Sequence, residues 1–137
     1  MKKKKISLTK IKNKCWKLFS LMVRLEETDK NGYGNCVSCG RTYHYKQFQC
    51  GHFIAGRNNS ILFERNACHI QCYGCNIGKA GNIVEYYQWM KEKFGEKEID
   101  RLRILAKQPR KFTIWELEEF AIKLTLKTTE LLQAKNG

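Results

Sequence analysis

The sequence predicts an α+β fold in which a small cysteine-rich core lies between N-terminal and C-terminal helices. Three observations predict it. Two CxxC pairs, Cys36/Cys39 and Cys72/Cys75, each place two thiolates within reach of one tetrahedral Zn²⁺ ion. The segment between them is rich in glycine, asparagine and aromatic residues, which is typical of short strands and turns. Apolar residues at helical spacing precede the first pair and resume after the second.

The composition favours one domain that binds a polyanion. The chain has 137 residues, with 26 Lys plus Arg against 13 Asp plus Glu and a formal net charge of +13. At this length we expect a single domain over residues 1–137. The positive charge makes nucleic acid the first candidate partner, and a basic protein with no such partner is the plain alternative.

The cysteines indicate a reducing compartment. There are seven, an odd number, and four of them stand in CxxC pairs, which favours a metal site over disulfides. Cys50 and Cys68 belong to no such pair and are expected to be buried free thiols. No apolar stretch after Lys2–Lys5 suits a signal peptide, and none approaches the ~18 residues of a membrane span. We therefore expect a cytoplasmic protein with no membrane partner.

The N-terminal part is predicted to be a tail followed by a helix. Residues 1–8 are expected to be a basic disordered tail, and residues 9–28 a helix whose apolar face packs in the core. The residues of this face are Ile11, Cys15, Leu18, Met22 and Leu25, and Trp16 and Phe19 widen it.

Residues 33–95 are predicted to form the metal-bearing core. Alternating or short apolar runs make residues 42–48, 53–54 and 61–63 candidate strands. These strands would bring the two CxxC pairs together around one ion.

The C-terminal part is predicted to be helical. An apolar face that begins at Ile83 stops at Gly95, and residues 96–137 are expected to be a helical extension. Within it, residues 96–106 form a short helix, and the capping box Thr113–Glu116 begins the last helix.

Two polar residues would be brought close together if the four cysteines of the CxxC pairs bound one Zn²⁺ ion. His52 lies between the CxxC pairs, and Asn76 directly follows the last cysteine. Neutral imidazole accepts a proton near pH 7, so His52 is a candidate general base; a hydrogen-bonded histidine at a strand end is the plain alternative. Asn76 either caps a turn or offers an amide oxygen to Mg²⁺, which needs few protein ligands when it also binds phosphate.

Three further residues have open roles. His69 is a second candidate Mg²⁺ ligand, a substrate contact, or a residue that orients a ligand. Asn66 either fixes a corner of the chain or assists catalysis by orienting His52 through a hydrogen bond. Glu64 is an additional candidate metal ligand.

The charge around the CxxC pairs is strongly basic. Between residues 40 and 84 the chain has one acid, Glu64, against five basic residues. A phosphate-binding face has this imbalance, because each neutralised phosphate releases counterions. Arg57 is the first candidate phosphate clamp, since its planar fork matches two phosphate oxygens. The candidate DNA-binding residues are Arg57, Arg41, Lys46, Arg65 and Lys79.

The ordered set of motifs resembles a known family. Over about residues 15–95 the sequence resembles the lambda NinG (Rap) recombination proteins of phages and prophages, and more distantly the HNH, or ββα-metal, endonucleases. The matching residues are Lys17-Leu18-Phe19-Ser20, Val23-Arg24, Asn35–Gly40, Gly51-His52-Phe53, Arg57, Asn66, His69–Cys72, Cys75-Asn76, Gly81-Asn82-Ile83 and Tyr86.

The resemblance implies a treble-clef ββα-metal core with structural Zn²⁺ and catalytic Mg²⁺. The first CxxC pair would lie on a knuckle, and the second would open the helix of the ββα unit. His52 falls where HNH enzymes place the general base, and Asn76 where they place a metal ligand. Gly51 departs from the pattern, because many HNH enzymes carry an Asp or His ligand there.

The resemblance also implies a function. It is that of a DNA endonuclease of phage recombination, acting in the bacterial cytoplasm on branched or single-strand-containing DNA such as a Holliday junction, beside other phage recombination proteins. A resolvase needs two active sites, and hence a homodimer. The alternatives are a zinc-stapled DNA-binding accessory protein without catalysis and an HNH nuclease of another biological role.

Overall fold

The helices at the two ends of the chain pack against each other. The computed structural model describes residues 7–135. In it, helix α1 (Leu8–Glu26) lies along the last helix, α5 (Ile114–Gln133). Helix α1 begins where it does because Ser7 Oγ accepts a hydrogen bond from the Lys10 amide at 3.1 Å. Its buried residues are Ile11, Cys15, Phe19, Val23 and Leu25.

The start of the chain differs from the prediction. Of the basic tail predicted for residues 1–8, residues 1–6 lie outside the described residues, whereas Ser7 caps α1 and Leu8 already belongs to it. The predicted apolar face is confirmed at Ile11, Cys15, Phe19 and Leu25, whereas Leu18 and Met22 are only partly buried and Val23 is buried in addition.

Two small antiparallel sheets lie between the end helices. Strand β1 (Tyr33–Asn35) pairs with β2 (Thr42–His44), and β3 (Gln49–His52) pairs with β4 (Cys68–Gln71). Both β3 and β4 contact α1, so that the second sheet packs on the first helix. Sheets this small depend on such packing, since an isolated two-stranded hairpin is marginal in water.

Two of the predicted strands are wrong. Residues 53–54 lie beyond the end of β3, and residues 61–63 overlap the short helix α2 (Asn59–Leu62). The run predicted over 42–48 is a strand only in β2 and then tightens into a 3₁₀ turn, Tyr45–Gln47. Short apolar runs carry too few residues for a period of 2 to be told from a period of 3.6.

The C-terminal helices begin and end close to the predicted residues. Helix α3 (Ile83–Phe94) stops at Gly95, whose φ is +87°, and α4 (Glu96–Ala106) follows at once. Thr113 Oγ accepts from the Glu116 amide at 3.1 Å, which starts α5. The buried apolar residues of helices and sheets form one cluster. The mixed α+β class is thus confirmed, while the treble-clef assignment stays a prediction. In the described part of the chain, no helix has both the length and the apolarity to cross a bilayer.

Candidate metal centre and adjoining cleft

Four cysteine sulfurs form a cluster that fits a metal ion. The Sγ atoms of Cys36, Cys39, Cys72 and Cys75 all lie within 4.8 Å of one another, and those of Cys39 and Cys72 are 3.7 Å apart. In a tetrahedron with metal–sulfur bonds of ~2.3 Å, the sulfurs are about 3.8 Å apart. These four residues are therefore the ones that would hold Zn²⁺.

The electrostatics of the cluster also favour a bound cation. Burial and the neighbouring Cys72 and Cys39 sulfurs raise the pKa of the Cys75 thiol to about 12, despite a hydrogen bond from Asn82. Burial also raises the pKa of Cys36, but backbone amides, including that of Cys72 at 3.4 Å, outweigh it and lower the pKa. Thiolates this close repel one another, and a divalent cation removes that cost.

The other cysteines are free thiols. Cys15, Cys50 and Cys68 are buried and lie outside the cluster, which confirms the prediction for Cys50 and Cys68. Burial raises the pKa of Cys68 well above its usual value, so that it is an un-ionised, apolar core residue.

A cleft of 620 Å³ brings three of the predicted site residues together. His52 enters it from the end of β3, Asn76 from a π-helical turn (Gly74–Gly78) that contains the last metal-ligand cysteine, and Arg57 from the loop after β3. The helix expected to open at the second CxxC pair is thus a single π turn, separated from α3. The lining residues are Trp16, Ser20, Arg24, Phe48, Gln49, Cys50, His52, Arg57, Asn76, Ile77, Ala80 and Gly81.

His52 is held as a neutral base. Its Nε2 lies 3.1 Å from the Leu62 carbonyl oxygen, which can only accept, so Nε2 carries the proton and Nδ1 carries the lone pair. The ring stacks on Trp16 with centroids 4.8 Å apart and an interplanar angle of 21°. Burial, and to a lesser extent the Arg57 charge, lowers the pKa of His52 against the opposing effect of the Leu62 hydrogen bond. Imidazole is therefore the favoured form at neutral pH.

Asn76 lines the same cleft with its side-chain amide hydrogen-bonded to a neighbour. Its Nδ2 donates a hydrogen bond to Gln49 Oε1, so the Oδ1 atom on the same carbon is directed away from Gln49. Among residues 7–135, the cleft lining includes no carboxylate, and its side-chain oxygens belong to Asn76, Gln49 and Ser20. Mg²⁺ is commonly bound through one or two protein oxygens plus phosphate and water, so Asn76 is the residue of this lining that would hold it, since Gln49 Oε1 already accepts from Asn76.

Arg57 lies over an aromatic ring at the mouth of the cleft. Its guanidinium carbon is 4.5 Å from the Trp16 ring centroid, and its backbone φ is +49°, in the left-handed region. Ala80, on the other side of the lining, also has φ of +49°. Such conformations cost about 1–2 kcal/mol each and concentrate at binding sites. Sequence reasoning missed Trp16 and Gln49 as cleft residues, since neither stands in a motif.

Gly51, the residue before His52, has no room for a side chain. A Cβ atom built there would lie 1.9 Å from Oε1 of Gln71, a fully buried residue. Gln71 Nε2 donates to Ser38 Oγ and to the Gly81 carbonyl, both at 2.8 Å. Gln71 therefore occupies the space in which a ligand at position 51 would stand.

His69 is not a metal ligand of this cleft, contrary to the prediction. In the sheet, Gly51 opposes His69 and His52 opposes Cys68, so His52 and His69 point to opposite faces. His69 is 2% exposed, with Nδ1 2.6 Å from Glu27 Oε2 and Nε2 2.7 Å from the Asn66 carbonyl oxygen. Both ring nitrogens are therefore directed at oxygens within the fold and not at the cleft.

Of the two predicted roles of Asn66, orienting His52 is wrong, whereas its place in the turn Arg65–Ala67 before β4 agrees with a role in fixing a corner of the chain. It does not contact His52, whose hydrogen-bond partner is Leu62; its carbonyl binds His69 in a separate cavity of 490 Å³. Glu64 pairs with Arg101 at 3.0 Å, away from the cleft.

Arg65 is also removed from the candidate DNA-binding residues. It forms ion pairs with Glu26 at 3.0 Å and Glu27 at 2.9 Å, and it donates to the Cys68 carbonyl. Burial raises the pKa of Glu27, but the hydrogen bond and charge of His69 and the charge of Arg65 outweigh it and hold the pKa below its usual range. The guanidinium charge is thus neutralised within the fold.

The remaining basic candidates are exposed and outside the cleft lining. The Arg41 carbonyl accepts from the Cys36 amide at 2.9 Å beside the cysteine cluster, Lys46 lies on the 3₁₀ turn, and Lys79 directly precedes Ala80. Their DNA contacts stay a prediction.

Known proteins share this sequence pattern. A model of the family described as Bacteriophage Lambda NinG protein matches residues 1–134. Protein ninG of Salmonella phage P22 is 32% identical over 85 residues, which are 61% of this chain and 39% of that protein. Protein ninG of Escherichia phage lambda is 29% identical over 85 residues, 61% of this chain and 39% of that protein. The match thus spans about two fifths of the length of these relatives. No solved structure gives a significant match. Because the family model covers nearly all of the sequence, the chain belongs to the NinG family.

Proposed function

We propose that this chain is an HNH-like DNA endonuclease of phage recombination that hydrolyses phosphodiesters with Mg²⁺. One observation carries the proposal. His52, whose Nε2 is directed at the Leu62 carbonyl so that Nδ1 carries the lone pair, lines a cleft that Asn76 and Arg57 also line. A base, a cation ligand and a phosphate-binding cation are the groups that hydrolysis of a phosphodiester requires.

In the proposed reaction His52 Nδ1 accepts a proton from the attacking water. The Leu62 carbonyl keeps Nε2–H in place, so the ring neither flips nor changes tautomer before the transfer. Trp16 fixes the plane of the ring by stacking. Arg57 binds the non-bridging oxygens, whose charge rises in the transition state.

The proposal assigns Mg²⁺ and Zn²⁺ to different residues. Asn76 would hold Mg²⁺, which when bound would supply positive charge for the departing 3′ oxygen. The four clustered cysteines would hold Zn²⁺, which joins the segment before β2 to the segment after β4 and thereby fixes Asn76 relative to His52.

The substrate class follows from the family and from the charge. A net charge of +13 favours DNA, and membership of a phage family associated with recombination favours branched or single-strand-containing DNA such as a Holliday junction. Cutting both strands of a junction requires two sites, so we propose a homodimer as the form that resolves junctions.

The test compares His52→Ala with the zinc-loaded wild-type protein on duplex, single-stranded, flap and four-way DNA, with and without Mg²⁺. We expect wild-type cleavage to need Mg²⁺ and the variant to lose it while keeping zinc and DNA affinity. His44→Ala is the matched control, because His44 lies in β2, outside the cleft lining. Unchanged cleavage by His52→Ala removes the imidazole from the mechanism.

A non-catalytic DNA-binding accessory protein is the second candidate. It is favoured by one feature of the cleft, the lack of a carboxylate in the part of its lining that the structure describes. Wild-type protein that binds four-way DNA but cleaves no substrate with Mg²⁺ or Mn²⁺ supports this role.

A further inference from the structure

We propose that Arg24 of α1 is a second phosphate-binding residue of the cleft, holding a backbone phosphate of the DNA strand that enters it. The inference rests on the proposed function only in taking DNA as the ligand of this cleft. It does not require that the DNA be cleaved.

Arg24 is held in place by neutral groups. Its Nε donates to the Ser20 carbonyl at 3.2 Å and to Ser20 Oγ at 3.3 Å, and Nη1 donates to the Tyr45 carbonyl at 3.1 Å. These acceptors orient the guanidinium but leave its charge in place. Nη2 has no hydrogen-bond partner within residues 7–135 and remains available for a ligand.

Arg24 also lacks a carboxylate counter-ion among the described residues, although its side chain is partly buried. Arg65, Arg101 and Arg110 each pair with at least one glutamate. No carboxylate of the described chain lies within 4.0 Å of Arg24, although the side chain is partly buried and burial lowers its pKa. A partly desolvated cation without an anion is costly, so its place beside the cleft is explained if a ligand supplies the anion.

A phosphodiester is the anion that fits. The guanidinium fork matches two phosphate oxygens. Arg24 and Arg57 line the same cleft, which includes no acid among the described residues. Two arginines without a carboxylate partner in the described chain, with the His52 base in the same lining, give the cleft a charge that suits the phosphates of a DNA strand. Helix α1 thereby contributes to substrate binding as well as to the core.

The experiment measures the affinity of zinc-loaded protein for a fluorescently labelled single-stranded oligonucleotide at several salt concentrations. We expect Arg24→Gln to weaken binding about tenfold or more and to reduce the log–log salt slope by about 0.7, the loss of one phosphate contact on a single strand. Arg103→Gln is the control with the same charge loss. It lies over the Tyr87 ring, outside the cleft, and should change affinity less than about twofold.

Arg24→Lys separates charge from geometry. It should retain the salt slope but bind more weakly than wild type, because lysine has no fork. Zinc content and thermal unfolding verify that each variant is folded. Equal affinities for folded Arg24→Gln and Arg103→Gln overturn the inference even if the wild-type protein cleaves DNA. Wild-type protein that binds in an Arg24-dependent manner but never cleaves leaves the inference standing and refutes the nuclease proposal.

Discussion

Adding a single methyl group at Gly51 should severely destabilise the fold. The Cβ of Gly51→Ala would lie 1.9 Å from Oε1 of Gln71 and 2.8 Å from its Cδ. The backbone is not the obstacle, because Gly51 is absent from the glycines with positive φ. The expected destabilisation therefore comes from the steric clash between the new Cβ atom and Gln71.

The expected loss in the free energy of unfolding follows from the hydrogen bonds that Gln71 would lose. Gln71 is completely buried and donates to Ser38 Oγ and the Gly81 carbonyl. Moving it breaks both bonds, at about 1 kcal/mol each, and leaves a buried amide unpaired at about 1–3 kcal/mol more. The sum of roughly 3–5 kcal/mol is a large part of the 5–15 kcal/mol typical of a whole domain.

The assay is urea unfolding of zinc-loaded protein in a double-mutant cycle with Gln71→Ala. In the Gln71→Ala background, which removes the colliding atoms, Gly51→Ala should cost less than about 1 kcal/mol, giving a coupling of at least ~2 kcal/mol. Two results refute the reasoning: Gly51→Ala as stable as wild type, or the same cost in both backgrounds.

Three further predictions concern protons and zinc. Because burial holds the pKa of His52 below 6.5, the acid limb of the kcat/KM profile for cleavage should lie below that pH, and Arg57→Gln should move it upward. The pKa of Glu27 is lowered from 4.5, so its ion pair stabilises the fold above that pH and is lost as pH falls through the lower, folded-state value. Urea unfolding should therefore show Glu27→Gln destabilised by about 3–5 kcal/mol at neutral pH, with the difference shrinking below pH 4. Chelation of zinc, worth on the order of 10 kcal/mol, should remove hydrogen-exchange protection from β1–β4 while α1 and α5 stay protected.

Each of these predictions has a contradicting outcome. A wild-type acid limb at or above pH 6.5 argues against a buried neutral His52 as the base. A pH-independent difference between Glu27→Gln and wild type excludes the ion pair as its cause. Strand protection that survives complete loss of zinc shows that the cysteine cluster does not hold the sheets together.

Local chemistry in the sequence predicted some features well. The spacing of Cys36/Cys39 and Cys72/Cys75 determines the sulfur cluster, because a CxxC turn brings two thiols together and only the pairing of turns is left to the fold. Gly95 and the Thr113 cap mark helix ends by their own backbone and hydrogen-bond requirements.

Other features depended on contacts between distant segments. The helix at Ile61 was predicted as a strand because its apolar residues are buried by neighbours that periodicity cannot show. Arg65 looked like a DNA contact until the fold placed Glu26 and Glu27 against it. Arg24 entered the sequence comparison only as part of the Val23-Arg24 match, and the fold alone places it in the cleft lining beside His52 and Arg57.

The sequence by itself determined the α+β class, the cysteine cluster and the basic character of the chain, since each depends on residue type and short-range spacing. The tertiary structure alone decided which polar groups face one another. A one-residue alternation in the β3–β4 ladder sends His52 to the cleft and His69 to the Glu27 ion pair. Register is fixed by packing across the whole core, and no local pattern in the chain encodes it.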